Sequence, residues 1–140
     1  MAITQAICNS YKVEIMQGIH STAHTYKLAL YNSSAVLSKA TTGYTTVCEL
    51  ADGVGGYAAG GITLTGTTAN LDADTAYLDF NDASLSTATI TARGGLIYNT
   101  SAGNKAVTVL DFSTDITATN GTFTVQFPAP AAATALVRIA

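Results

Sequence analysis

The chain has 140 residues, only 11% of them charged, and a formal net charge of −3, where a typical globular protein is roughly 25% charged. That length suits one domain with a sizeable core, and the surface that so few charges leave is neutral and rich in hydroxyls. The cations Lys12, Lys27, Lys39, Arg93, Lys105 and Arg138 are scattered and form no basic stripe, so nucleic acid is not expected as a partner.

The opening stretch, Met1 to Gly18, has no basic region followed by a long apolar one. Nowhere does an apolar run reach the length of about 18 residues that a membrane helix needs, so neither a secretion signal nor a membrane span is expected. Ile3, Ile7, Tyr11, Ile15 and Ile19 recur at a constant spacing and draw one apolar stripe, with Lys12 and Glu14 turned away from it. This predicts an amphipathic α-helix over about residues 5–17, with Thr4 as its N-cap and Gly18 ending it. Cys8 and Cys48 have no C-x-x-C spacing and read as small, buried, reduced apolar residues.

After Gly18 the period changes. In "TYKLALY", Tyr26, Leu28 and Leu30 alternate with Lys27, Ala29 and Tyr31, the signature of a strand. The apolar-rich segments "YTTVCEL", "GITLTG", "TAYLDF", "TATITAR", "GLIYN", "AVTVLDF", "GTFTVQF" and "ALVRI" follow, separated by Gly, Ser, Asn and Asp. The fold class is therefore mainly β. The expected architecture is an antiparallel, jelly-roll-like β-sandwich preceded by one N-terminal helix, a single domain over 1–140.

Leu96–Asn99 and Ala106–Phe112 should form a hairpin, with Gly103 and Asn104 taking positive φ in its turn. Gly94 and Gly95 invite a bulge or a close backbone approach. Residues 106–112 carry apolar groups on both faces and read as a central strand covered on both sides. Asp52–Gly66 is glycine-rich but lacks the Gly-Lys-Ser/Thr ending of a phosphate loop and the following helix of a dinucleotide site. It reads as a loop that brings Tyr57 to a surface.

His20 and His24 fall in a loop after the helix, with no H-E-x-x-H, and do not read as metal ligands. Asp72, Asp74, Asp79 and Asp82 lack a calcium-loop pattern and read as turn formers at strand ends. No nucleophile elbow accompanies the many hydroxyls, and the sequons at Asn32, Asn99 and Asn120 are expected by chance in so Ser/Thr-rich a chain. No catalytic, metal or cofactor residue and no small-molecule substrate is expected. The chain closes with a stiff Pro128–Pro130 segment and an apolar run to Ala140, which suits a strand built into a sheet or interface. The candidate interface residues are Ile3, Ile7, Tyr11, Ile15, Tyr57, Leu136 and Ile139.

The succession "TQAICNSYKVEIMQGIH", "TYKLALYNSSAVL", "GYTT", "GGYAAGGITLTG", "ARGGLIYNTSAGNKAVTVLDF" and "GTFTVQFPAP…ALVRIA" resembles a family of small structural proteins of tailed bacteriophages, over nearly the whole chain. The resemblance implies a capsid decoration, or cement, protein in the virion, assembled in the bacterial host cytoplasm. Its partners would be the major capsid protein and copies of itself, as a homo-oligomer, and no catalytic residues carry over. The low charge, the apolar helix stripe and the apolar end agree with such a part. The alternative is a tail, neck or head-fibre component that contacts host glycans through exposed Tyr44, Tyr57 and Tyr98. A cell-wall hydrolase would rest only on the two histidines and the aspartates, and ranks last.

Overall fold

A computed structural model of the chain describes residues 2–127 and 135–139. In chain order it contains β1 (Ala6–Ile7), α1 (Asn9–Met16), β2 (Tyr26–Tyr31), β3 (Ile62–Thr63), β4 (Thr68–Asp72), β5 (Thr75–Asp79), β6 (Ala83–Asn99), β7 (Lys105–Val125) and β8 (Val137–Ile139). The strands make two antiparallel sheets, one in the order β1-β7-β6-β2-β3 and one in the order β4-β5-β8. The expected mainly β, two-sheet fold with one helix near the N-terminus is present. One apolar core draws on both sheets, with Leu28, Leu96 and Val109 from the first and Leu78 and Val137 from the second. Tyr26, Phe80 and Phe127 run ring to ring between the sheets, with centroids 5.5 Å and 6.1 Å apart, and such aromatic pairs add to plain area burial. The Pro128–Pro130 segment and Ala140 lie outside the described residues.

The hairpin is where the sequence places it. Leu96 faces Val109 and Asn99 faces Lys105, and the turn takes positive φ at Gly103 (71°) and Asn104 (60°). Residues 106–110 are buried on both faces, as a central strand requires. Gly94 and Gly95 are needed for close approach. A Cβ on Gly94 would press on the Leu110 carbonyl and lie 2.9 Å from Ile3 Cδ1, and one on Gly95 would lie 2.7 Å from Leu28 Cδ1.

The long strands run further than the punctuation suggested. "TATITAR" and "GLIYN" belong to one strand, and "AVTVLDF" continues through the polar "STDITATN" into "GTFTV". Past Gly94 and Val109, β6 and β7 leave β2 and β1 and continue as a two-stranded ribbon. Its register slips between Leu85 and Ala88, Ala88 and Ile90, and Ala92 and Gly94. Thr87, Ser113 and Asn120 take positive φ, 53°, 69° and 49°, which costs a residue with a Cβ and marks the places where the ribbon turns. Phe112 and Phe123, both on β7, have ring centroids 6.4 Å apart, where a straight strand would hold them roughly 35 Å apart. The ribbon folds back on itself and supplies Ile90, Phe123 and Val125 to the core.

Three local expectations are corrected. The helix is Asn9–Met16 rather than 5–17, and Cys8, not Thr4, occupies the N-cap position. Residues before it are claimed by strand pairing: the Thr4 N–H donates to the Leu37 carbonyl (2.8 Å), Ile3 bridges Leu37, and Ala6–Ile7 pair with Val109 and Thr108. Positions four apart share a face in a strand as well as in a helix, so the isoleucine spacing fits both. Gly18 does end the helical turn, at φ 73°. "YTTVCEL" forms no strand; it makes only the isolated bridges Tyr31–Glu49 and, just before it, Gly43–Lys105. Cys8 is buried and free as expected, but Cys48 is free and half-buried, at φ 64°.

Gly94→Ala should lower unfolding stability by about 2 kcal/mol, because its methyl meets backbone that cannot give. Gly103→Ala, with open space around it, should cost only about 1 kcal/mol for its left-handed φ. Denaturant unfolding of the two variants checks the order.

Candidate functional site

The start of α1 is held through backbone to β7 and to the segment between β2 and β3. The Cys8 N–H donates to Val107 O (3.0 Å) and the Asn9 N–H to Lys39 O (2.8 Å). Tyr11 and Ile15 then turn inward, whereas Val13 is 56% exposed and Met16 89% exposed. Across from the helix stands β8, with Ile139 51% exposed. Between them runs a groove of about 400 Å³, with Ile7, Tyr11, Ile15 and Met16 on one wall, Val137 and Ile139 on the other, and Lys12 and Arg138 completing the lining. A smaller cleft of about 170 Å³ shares Tyr11, Ile15, Val137 and Ile139 and continues past His20 to Tyr77. The helix and the small sheet therefore meet along an apolar seam that they do not fill between them.

Four of the seven candidate interface residues, Ile7, Tyr11, Ile15 and Ile139, come together in this groove. Leu136, just before β8, is half-buried against the core. Ile3 and Tyr57 belong elsewhere. Ile3 is 5% exposed and packs under Gly94. Tyr57 is 1% exposed, which overturns the expectation that its loop carries it to a surface. Met16, Val13 and Val137 were missed. Val13 and Met16 fall off the apolar stripe of Ile3, Ile7, Tyr11, Ile15 and Ile19, and nothing in the local pattern tells an off-stripe apolar residue that it stays uncovered.

The reason Tyr57 turns inward is Glu49. Its carboxylate accepts from Tyr57 OH (2.7 Å), Tyr44 OH (2.6 Å) and the Gly60 N–H (2.7 Å). Tyr57 in turn accepts the Leu30 N–H (3.0 Å), and Tyr98 OH donates to Gly60 O (2.6 Å) while its ring stacks on Tyr44, 4.6 Å away. One carboxylate thus satisfies the donors of a segment that has almost no regular structure between β2 and β3. Burial pushes the phenols of Tyr31, Tyr44 and Tyr57 well up, and the Glu49 carboxylate adds to the shift. Burial likewise raises Tyr11 and lifts the Cys8 thiol to about 11, with Glu14 adding to it, so Cys8 is a poor nucleophile.

The histidines lie in the loop after α1, as expected. His20 bonds Glu14 through Nε2 (3.0 Å) and Asn99 through Nδ1 (3.0 Å), so both ring nitrogens are occupied by structural partners. Asp72 ends β4 and Asp74 sits in the turn to β5, beside Ala73 at φ 52°, and the Asp82 carboxylate accepts the Phe127 N–H (2.9 Å). These are turn and capping roles. Among the described residues no group of three or more His, Cys, Asp or Glu is placed to hold a metal ion, and no helix is long and apolar enough to cross a membrane. Comparison with protein-family models, curated proteins and solved structures finds no match to the chain.

Glu49→Ala strands the hydroxyls of Tyr44 and Tyr57 and the Gly60 N–H, and should lower stability by about 3 kcal/mol, measured by urea unfolding. A pH dependence follows from the phenols. Because the folded state keeps their protons above the ordinary tyrosine value, the unfolded state binds fewer protons above about pH 10, and stability is lost as pH rises beyond it. Phenolate absorbance of these tyrosines should therefore rise together with loss of the far-UV β signal, rather than before it.

Proposed function

We propose that the chain is a non-enzymatic structural protein of a tailed-phage virion, a decoration protein that binds the major capsid shell in many copies and stabilises it. The observation that carries this reading is the exposed apolar seam of α1 and β8, with Met16 and Ile139 bordering an unfilled groove. Contiguous apolar surface of this kind on a chain so poor in charge suits a protein that meets other proteins. The resemblance of the sequence to small phage structural proteins supports the same reading and supplies the partner, a capsid subunit, with further copies of the chain beside it. Weak repulsion between copies at a net charge of −3 permits dense packing on a shell. Many modest contacts on one shell sum through effective concentration, so no single contact has to be strong.

The reading as a glycan-contacting tail or head-fibre part rested on exposed tyrosines. Tyr57 and Tyr98 are buried and Tyr44 is half-buried, so that reading has no observation in its favour.

In reconstructions of the particle that carries the chain, its density should repeat with the symmetry of the shell, and shells stripped of it should break down at lower temperature. Density confined to the tail or one vertex would overturn the proposal. Met16→Asp places a charge on a side chain with almost no internal contacts, so the variant should fold as the parent does. Its rebinding to stripped shells should weaken at least about tenfold if Met16 is an interface anchor; unchanged rebinding would move the interface away from the seam.

A further inference from the structure

Asn99, the last residue of β6, is completely buried. Its Oδ1 accepts the Ser101 N–H at 3.0 Å, which fixes the amide and aims its NH₂ the other way. That NH₂ meets two imidazole nitrogens, Nδ1 of His20 at 3.0 Å and Nδ1 of His24 at 2.9 Å. An amide NH₂ only donates, so both nitrogens must offer lone pairs, and both rings are neutral with the proton on Nε2. The His20 Nε2–H donates to Glu14 Oε1 at 3.0 Å, and the other Glu14 oxygen lies 3.6 Å from Lys105 Nζ. Among the described residues, further titratable groups near the pair are Tyr11 of α1, whose ring lies 4.6 Å from that of His20, Tyr26 of β2, whose OH donates to Ser21 O, and Tyr77 of β5, which lines the same cleft as His20.

We propose that the Asn99 amide and the two histidines form a proton-operated latch on residues 19–24, closed while both imidazoles are neutral and opened when His24 takes a proton from solvent at Nδ1. Protonation turns an acceptor into a donor, so N–H faces N–H and the bond is replaced by repulsion. The amide cannot answer by flipping, because its NH₂ would then face the Ser101 N–H. His20 keeps a favourable contact on protonation, since Glu14 holds its Nε2 side, and Lys105 offsets part of that gain. His24 has no such carboxylate among the described residues, so its proton is the one that opens the latch. The closed state holds fewer protons than the open one and is favoured as pH rises. His20, Ser21 and Thr22 form one wall of the cleft beside Tyr11 and Ile15, so opening widens the apolar seam.

Amide hydrogen exchange of the full chain at about pH 8 and about pH 5, corrected for the intrinsic rate, tests the latch. Residues 19–24 should lose about tenfold in protection on acidification, the scale of one net hydrogen bond, while β2 and β6 keep theirs. Asn99→Asp supplies a carboxylate that accepts from two imidazolium N–H groups while still taking the Ser101 N–H, and should reverse the sign, with the loop better protected in acid. Equal protection of the parent chain at both pH values overturns the proposal, and so does a variant that keeps the parent's direction. If Asn99→Asp does not fold, ring nitrogen shifts of the parent decide: at about pH 8 both histidines should show a bare Nδ1 and a protonated Nε2, and an Nδ1–H tautomer on either ring would sink the idea.

Discussion

The antiparallel pairing of β6 with β7 is the constraint on which the rest of the molecule depends. It is local in sequence, closed by the Thr100–Asn104 turn, and runs from the Asn99–Lys105 pair to the Ala83–Val125 pair. Every other strand of the larger sheet is added to it: β2 along residues 94–99, β1 at Thr108 and Val109, and β3 outside β2. Because the ribbon bends, one hairpin supplies apolar side chains to the core from both its halves. That arrangement explains how a chain with one short helix and a small second sheet still buries a substantial core.

Two polar centres then order what pairing does not reach. Glu49 gathers the segment between β2 and β3 by accepting from two phenols and a backbone N–H, and Asn99 gathers the segment between α1 and β2 through two imidazoles. Both centres lie against β2 or the end of β6 that pairs with it, through the Leu30 N–H in one case and the Tyr26–Asn99 pair in the other. A half-buried carboxylate or a buried amide with several satisfied partners rigidifies a loop more specifically than apolar contact does, since each bond has a direction. Few charges are needed to build such a protein when single polar groups are placed this way.

Strand periodicity was legible wherever apolar alternation was local, as in Tyr26–Tyr31 and at the hairpin turn, where Gly103 and Asn104 announced their own φ values. The polar middle of β7 was not legible: Ser113–Asn120 has the composition of a loop, and only the partner strand makes it a strand. The helix start was lost to a degeneracy, because Ile3 and Ile7 satisfy a strand and a helix equally until Leu37 takes the one and the edge of β7 the other. The site was half legible. Ile7, Tyr11, Ile15 and Ile139 were found as apolar positions, yet Met16 and Val13 stand out only when one sees what fails to cover them. Glu49 and Asn99 gave no signal at all, since a lone acid and a lone amide become centres only when distant tyrosines and histidines converge on them.

The turns at Ser113 and Asn120 also bear on how one copy of the chain meets another. Beyond Val109 no described strand pairs with the outer side of β7, which leaves a row of backbone donors and acceptors that a flat strand would offer to any neighbouring molecule. Left-handed residues in that row break its repeat and twist it out of plane, so that two such edges cannot zip together. The same kinks that bring Phe112 and Phe123 together thus also shield an unpaired edge from strand-on-strand pairing.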